Sequence, residues 1–313
     1  MRLQIFVKSL LVPLILGCGL SLMSTGCAST RHLTPDFLKD KYTNQHSKFI
    51  ELHDQKVHIR DQGSGPVIVL IHGISSSLHT WDQWSEQLQS SYRVVRLDLP
   101  GFGLSGPDPN NQYSIDRYVD IVHELVTQLQ VDSFHLVGNS LGGWIAWEYC
   151  YKYPEQVQKL VLLDAAGFAT PDDPPKPLRM AQKPMFKKLA LKGPPRFLVR
   201  KFLKQAYGDR RKVKTELVNR YFELNHYPGN PLAFYTIANA QYTSNTARLA
   251  QIQTPTLIMW GAEDKKWIDV SHAYLFEELL PNDQLIIYQG VGHLPMEEHA
   301  LPSVEDLKAF LLR

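Results

Sequence analysis

The strongest chemical signal in the chain is Gly138-Asn139-Ser140-Leu141-Gly142. It lies where an apolar run, Phe134–Val137, meets a helical pattern that continues to Tyr153. A Ser on such a strand–turn–helix bend is pushed out of the end of a sheet, and small neighbours let the chain turn that sharply. The helix N-terminus behind it offers free N–H groups to a developing negative charge. A Ser hydroxyl is too weakly acidic to attack unaided, so a base and an orienting acid must follow. His293 lies in QGVGHLP, just past the apolar run LIIYQG, and Asp264 lies in MWGAED, just past LIMW. The order Ser, acid, His is the one that accompanies this kind of bend. Asp164, after LVLL, competes with Asp264 for the acid's place. A second N–H for an oxyanion must come from the loop after the third strand, which is His72-Gly73-Ile74, with Gly73 permitting the tight turn.

These residues need elements to hold them. Eight runs read as strands: FIELHD, KVHIRD, VIVLIHG, RVVRLDL, FHLVGNS, QKLVLLD, TPTLIMWG and QLIIYQG. The middle ones are continuously apolar, as strands covered on both faces are. Helical patterns near 80–88, 114–130, 141–153 and 269–280, and a last one from Pro302, alternate with them. The alternation argues for a parallel α/β sheet. It stops between Phe168 and Ile252, where the sequence is helical, basic and broken by Pro pairs, and this block reads as an insertion packed over one end of the sheet.

Five motifs occur in order across residues 47–313: HGISSSLHTW, LDLPGFGLSG, GNSLGG, WGAED and GVGHLPMEEH. Together they resemble the α/β-hydrolases of the branch that carries a helical cap. The resemblance implies a mostly parallel eight-stranded α/β sheet flanked by helices, formed by residues 47–167 and 253–313, with an inserted helical cap at 168–252. It implies Ser140 as nucleophile, His293 as base, Asp264 as the acid, and an oxyanion hole from the backbone N–H groups of Ile74 and Leu141. It implies neither a metal nor an organic cofactor. A Ser in the nucleophile's place argues against haloalkane dehalogenase and epoxide hydrolase chemistry. GNSLGG is also similar to the serine carbon–carbon bond hydrolases of aromatic ring degradation. Those have a Gly-rich oxyanion loop and a Trp after the His, where this chain has Ile74-Ser75-Ser76 and Leu294. The preferred reading is a carboxylic ester hydrolase, an esterase or lipase, with a small-molecule ester or lipid as substrate. The alternatives are a carbon–carbon bond hydrolase and a non-catalytic binding lipoprotein of the same fold.

Arg2 and Lys8 precede an uncharged stretch from Ser9 to Thr30 that is apolar through Met23, the pattern of a secretory signal. Its end, Ser24-Thr25-Gly26-Cys27, resembles a bacterial lipoprotein signal, with Ser24 where that family has Leu; Cys18 is the competing site, and an uncleaved membrane helix is the alternative to a signal. The expectation is a signal segment at 1–26, a lipid-bearing Cys27, a polar tether at 27–46 and an exported protein anchored to a membrane of the bacterial cell envelope. Three cysteines cannot form a disulfide framework, and Cys150 reads as a buried apolar residue. The net charge of +2 hides an asymmetry: Pro171 to Arg220 holds fifteen Lys and Arg against four Asp and Glu. Within it, Arg196–Lys204 alternates charge with apolar residues at helical spacing. No groove-reading motif accompanies these cations, so the basic face reads first as the solvated side of an ordinary cap helix, with a membrane surface as the alternative partner and not a nucleic acid.

Overall fold

Strands buried on both faces must be apolar at every position, and alternate side chains must then feed two different cores. The computed structural model, which describes residues 33–168 and 176–313, shows this arrangement. The strands are β1 (Ser47–Leu52), β2 (Gln55–Gln62), β3 (Val67–Ile71), β4 (Arg93–Leu97), β5 (Phe134–Asn139), β6 (Val157–Leu163), β7 (Thr256–Gly261) and β8 (Asp283–Tyr288). They form one sheet in the order β1-β2-β4-β3-β5-β6-β7-β8. β2 is antiparallel to β1 and β4, and from β4 to β8 every pairing is parallel. Val69 and Ile71, Leu160 and Leu162, and Ile258 and Trp260 enter one core. Their neighbours Ile68 and Leu70, Val161 and Leu163, and Leu257 and Met259 enter the other.

The helices, in chain order, are α1 (Pro35–Tyr42), α2 (Asp82–Leu88), α3 (Ile115–Gln128), α4 (Leu141–Lys152), α5 (Lys176–Gln182), α6 (Lys187–Lys192), α7 (Arg196–Ala206), α8 (Thr215–Asn225), α9 (Asn230–Asn239), α10 (Ser271–Leu279), α11 (Pro295–Glu298) and α12 (Ala300–Leu311). α3, α4 and α10 bury their apolar stripes in the first core. α2 and α12 fill the second, and the Trp84 indole N–H of α2 donates to Ser303 Oγ of α12 at 3.1 Å. Helices α5 to α9 lie between β6 and β7 in the chain. Val199 and Leu203 of α7 and Val218 and Phe222 of α8 belong to the second core, so this helical segment is packed continuously with the sheet.

The signal reading of residues 1–26 and the lipid-bearing Cys27 lie outside the described residues. The expected tether is described from Leu33 onward, and there it differs from a polar linker. Thr34 caps α1 by accepting from the Phe37 N–H at 3.2 Å, and Pro35 occupies the first turn. Leu38 and Tyr42 are buried in a small cluster with Leu104 and Leu224. One helical turn's worth of apolar residues gives too weak a period to be seen in sequence. Its Thr-Pro start was the readable signal. Leu33–Arg313 form one compact unit.

Asp98, just past β4, fixes the loops on which the site depends. Its carboxylate accepts from the N–H groups of Leu78 at 2.7 Å and Leu104 at 2.8 Å, and Oδ2 lies 2.8 Å from His58 Nδ1. Gly103 is required opposite it, because a Cβ there would lie 2.1 Å from the Asp98 carboxyl carbon, and its φ is +52°. Burial alone would raise the Asp98 carboxyl, but His58 and the Leu78 N–H hold it down at about 2. The folded value is therefore below the unfolded one of ~3.9, so the stabilisation is complete above that pH and is lost as pH falls through about 2. We expect Asp98→Asn to lower stability at neutral pH by about 2–4 kcal/mol and to flatten the acid limb of the stability curve. Urea unfolding across pH checks both. An unchanged midpoint at pH 7 would show that Asp98 does not hold these loops.

Candidate active site

Five loops leave the C-terminal ends of β3, β5, β6, β7 and β8, which lie side by side, and each delivers one of the residues singled out by sequence. In open α/β sheets this edge is where ligands bind. Ser140 follows β5 with φ +56° and ψ −119°, a backbone region that a non-glycine residue occupies only under constraint. Its N–H donates to Leu163 O at 3.0 Å, and its carbonyl accepts from the N–H groups of Ala166 and Gly143. The bend leaves no space for neighbouring side chains. A Cβ on Gly138 would lie 2.1 Å from Gly142 O, and one on Gly142 would lie 2.3 Å from Ile71 O. A Cβ on Gly73 would lie 2.8 Å from the Ser140 Cβ, which places the loop after β3 directly against the serine.

That loop is held by His72, whose Nε2 accepts from the Leu99 N–H at 3.0 Å while Nδ1–H donates to Gly73 O at 2.7 Å. These two bonds fix a neutral tautomer, and burial lowers the imidazole's affinity for a second proton. His72 is thus a brace for the loop, not a base. Among the described residues, neither the Ile74 N–H nor the Leu141 N–H has an acceptor. Both donors are therefore available where the resemblance implies an oxyanion hole.

His293 is buried in the loop after β8, and its Nδ1 lies 2.5 Å from Asp264 Oδ2. Asp264 is itself fixed: Oδ1 accepts from the Trp267 N–H and Oδ2 from the Ile268 N–H, each at 3.1 Å. With Nδ1 engaged, Nε2 is the nitrogen left to serve Ser140, which lines the same cavity as His293. The rival acid, Asp164, lies close by without holding the histidine. Its Oδ1 accepts from the Gly261 N–H at 3.0 Å, its φ is +41°, and its buried Oδ2 has no hydrogen-bond partner. Burial, and after it the charge of Asp264, holds the Asp164 carboxyl well above the usual carboxylate range. Donor atoms of Asp164, Asp264 and His293 come within 4.8 Å of one another, the spacing of a cation site. Both Asp264 oxygens already accept N–H bonds, however, and that suits a hydrogen-bonded carboxylate better than a metal ligand.

Sequence reasoning missed three supports. The Trp267 ring stacks on His293, with centroids 5.5 Å apart and planes 11° from parallel. Asn139 Nδ2 donates to the carbonyls of Leu163 and His293, both at 3.1 Å, tying the serine bend to the histidine loop. The His293 N–H donates to Ala206 O at 2.7 Å, and Glu298 accepts from the N–H groups of Gly292, Gly208 and Asp209. The end of α7 and the histidine loop are therefore bonded to each other. Only the position of Trp267, three residues past the acid, was a readable hint.

Ser140 and His293 both line a cavity that opens to solvent. Its walls come from the helical segment, including Met180, Leu189, Leu198, Phe202 and Phe234. Among the described residues that line it there is no Asp, Glu, Lys or Arg.

A family model described as "alpha/beta hydrolase fold" matches residues 66–300. The chain is similar to Lipase 3 of Moraxella sp. (strain TA144), 28% identical over 263 residues, covering 80% of this chain and 78% of that protein. It is similar to the 2-hydroxy-6-oxo-6-phenylhexa-2,4-dienoate hydrolase of Burkholderia cepacia, 26% identical over 269 residues, covering 81% of this chain and 92% of that one. Among solved structures, a membrane phospholipase A described as a bacterial virulence factor superposes with a TM-score of 0.71 at 25% identity, covering 90% of this chain and 93% of the other.

The two carboxyls can be told apart by the rate at which a phosphonate ester labels Ser140. Asp264→Asn should slow labelling by about 10³–10⁴-fold, because the amide cannot hold His293 in its productive tautomer. Asp164→Asn, which replaces a carboxyl that does not hold His293 by an amide of the same shape, should change it less than about 10-fold. The reverse ranking would assign the acid's role to Asp164.

Proposed function

The chain belongs to the α/β-hydrolase fold family, and from that premise we propose that it is a serine hydrolase of carboxylic esters whose acyl group is apolar. The observation that carries the reading is the cavity: apolar walls leading to Ser140 and His293, with no Lys or Arg among the described residues that line it. A buried carboxylate without a partner is costly, so a dienoate of the kind named for the Burkholderia relative is a poor occupant, whereas a neutral acyl chain gains from burial.

In this reading Ser140 Oγ attacks the ester carbonyl carbon as its proton passes to His293 Nε2. Asp264 stabilises the imidazolium through Nδ1–H. The carbonyl oxygen becomes an oxyanion facing the N–H groups of Ile74 and Leu141. Collapse breaks the bond to the alcohol oxygen, which takes the proton from Nε2 and leaves an acyl-Ser140. Water, deprotonated by His293, attacks the acyl carbon. The second oxyanion collapses to expel Ser140 Oγ, which recovers the proton, and the carboxylic acid departs. The reading also includes export and anchoring through a lipid on Cys27, for which incorporation of labelled fatty acid into the wild type and not into Cys27→Ala is the test.

We expect Ser140→Ala to lose hydrolysis of p-nitrophenyl esters by ~10⁶-fold while keeping its circular dichroism and unfolding midpoint. For the wild type, kcat/KM should rise with the length of a saturated acyl chain and fall sharply when the chain ends in a carboxylate. A folded Ser140→Ala variant with substantial activity would end the serine mechanism. A preference for the charged acyl group would return the carbon–carbon hydrolase reading. Failure of the wild type to take up a phosphonate would favour a non-catalytic binder.

A further inference from the structure

We propose that the outer face of α7, with Arg210 beside it, is a docking surface for an anionic phospholipid bilayer. α7 has two sides. Leu198 and Phe202 line the cavity, and Val199 and Leu203 are buried in the core beneath. On the other side Phe197, Arg200, Lys201, Lys204 and Arg210 line a shallow depression open to solvent. None of these four cations has an acidic partner among the described residues. Arg200 reaches only the Thr215 hydroxyl, at 3.3 Å, and the nearby Asp209 is already engaged by Arg211 at 2.9 Å. Elsewhere in the structure surface cations are commonly paired, as Lys152 is with Asp120 and Lys48 with Asp61.

Unneutralised cations alone would suit any polyanion. The apolar Phe197 exposed among them, and Met185 exposed elsewhere on the same helical segment, select a bilayer. Phe197 is 69% exposed and precedes the cavity-lining Leu198, and Met185, at 79%, precedes the cavity-lining Phe186. These two apolar side chains stand outside the cavity wall at the points where the next residue stands inside it. A nucleic acid backbone offers them nothing, whereas the headgroup–acyl boundary takes apolar side chains and cations together. The local excess of Lys and Arg, fifteen against four between residues 171 and 220, is complementary to anionic headgroups.

The proposal deepens the ester reading by naming a lipid surface as the place where substrate is met, but docking is tested without turnover. The unit Leu33–Arg313 holds every core cluster of the described residues and is compact by itself, so it separates the cap's contribution from that of the N-terminal segment. Its binding to vesicles of phosphatidylglycerol mixed with phosphatidylcholine, and to phosphatidylcholine alone, should be measured by co-sedimentation at low and high salt. We expect at least 10-fold tighter binding to the anionic vesicles at low salt. The triple change Arg200→Gln, Lys201→Gln and Lys204→Gln should weaken it on the order of 100-fold. Phe197→Ser should weaken the part that survives high salt. Soluble short-chain ester turnover should be the same in the triple variant and the wild type, showing that the variant is folded. No preference for anionic vesicles, or a preference unchanged in the triple variant, overturns the proposal. Equally strong binding to double-stranded DNA that is indifferent to Phe197→Ser also overturns it. Vesicle binding as expected in a protein that cleaves no ester supports the docking surface and removes only the ester reading.

Discussion

A single residue held at positive φ organises this structure. Ser140 occupies a conformation that costs on the order of 1–3 kcal/mol, and it persists because everything around it over-determines it. β5 is flanked on both sides by parallel strands, the Ser140 N–H is taken by Leu163 O, and α4 begins at the next residue. Gly138, Gly142 and Gly73 are missing side chains where any Cβ would collide with backbone or with the serine itself. The same close approach that makes room for the bend puts the loop after β3 against the hydroxyl. It also leaves the Leu141 N–H, at the first turn of α4, with no acceptor among the described residues. In the proposed mechanism, nucleophile and oxyanion donors are therefore products of one packing constraint.

The sheet was largely legible because its information is local. Runs such as VIVLI and LVLL have no polar position, and that alone requires cover on both faces. The serine bend was legible for the same reason, since a strand, a glycine and a helix start lie within a few residues. What was not legible depends on contacts between distant segments. Glu297 and Glu298, in MEEH, look like surface charges. In the fold Glu297 accepts from Thr80, Tyr207, Tyr221 and Arg220, and Glu298 from three backbone N–H groups. Asp164 and Asp264 both follow apolar strands, so the sequence leaves both open. The loop 262–268 brings one carboxylate to His293 Nδ1 and leaves the other sealed beside it. α1 was missed because two buried side chains do not make a visible period.

α7 separates two environments within the thickness of one helix. Toward the cavity it is apolar, and an ion buried there without a partner is costly. Toward solvent it carries cations whose fields are screened over roughly 8 Å at physiological ionic strength. An eleven-residue helix can do both because its two faces are set by residue spacing alone. Its inner face shapes what the cavity accepts, and its outer face is free to vary without touching that choice.

The hydrogen bonds from His293 N–H to Ala206 O, and from Gly292, Gly208 and Asp209 to Glu298, have a consequence for recombination. Helices α5 to α9 look in sequence like an exchangeable cassette between β6 and β7. The last turn of α7 is nevertheless stitched to the backbone of the histidine loop, about ninety residues downstream, by contacts so close that Gly292 has no room for a Cβ beside Ala206 O. A chimera cut only at the two ends of that cassette would inherit its helices from one parent and their anchor from another. The heritable module is discontinuous: it is the cassette together with the segment from Gly292 to Glu298.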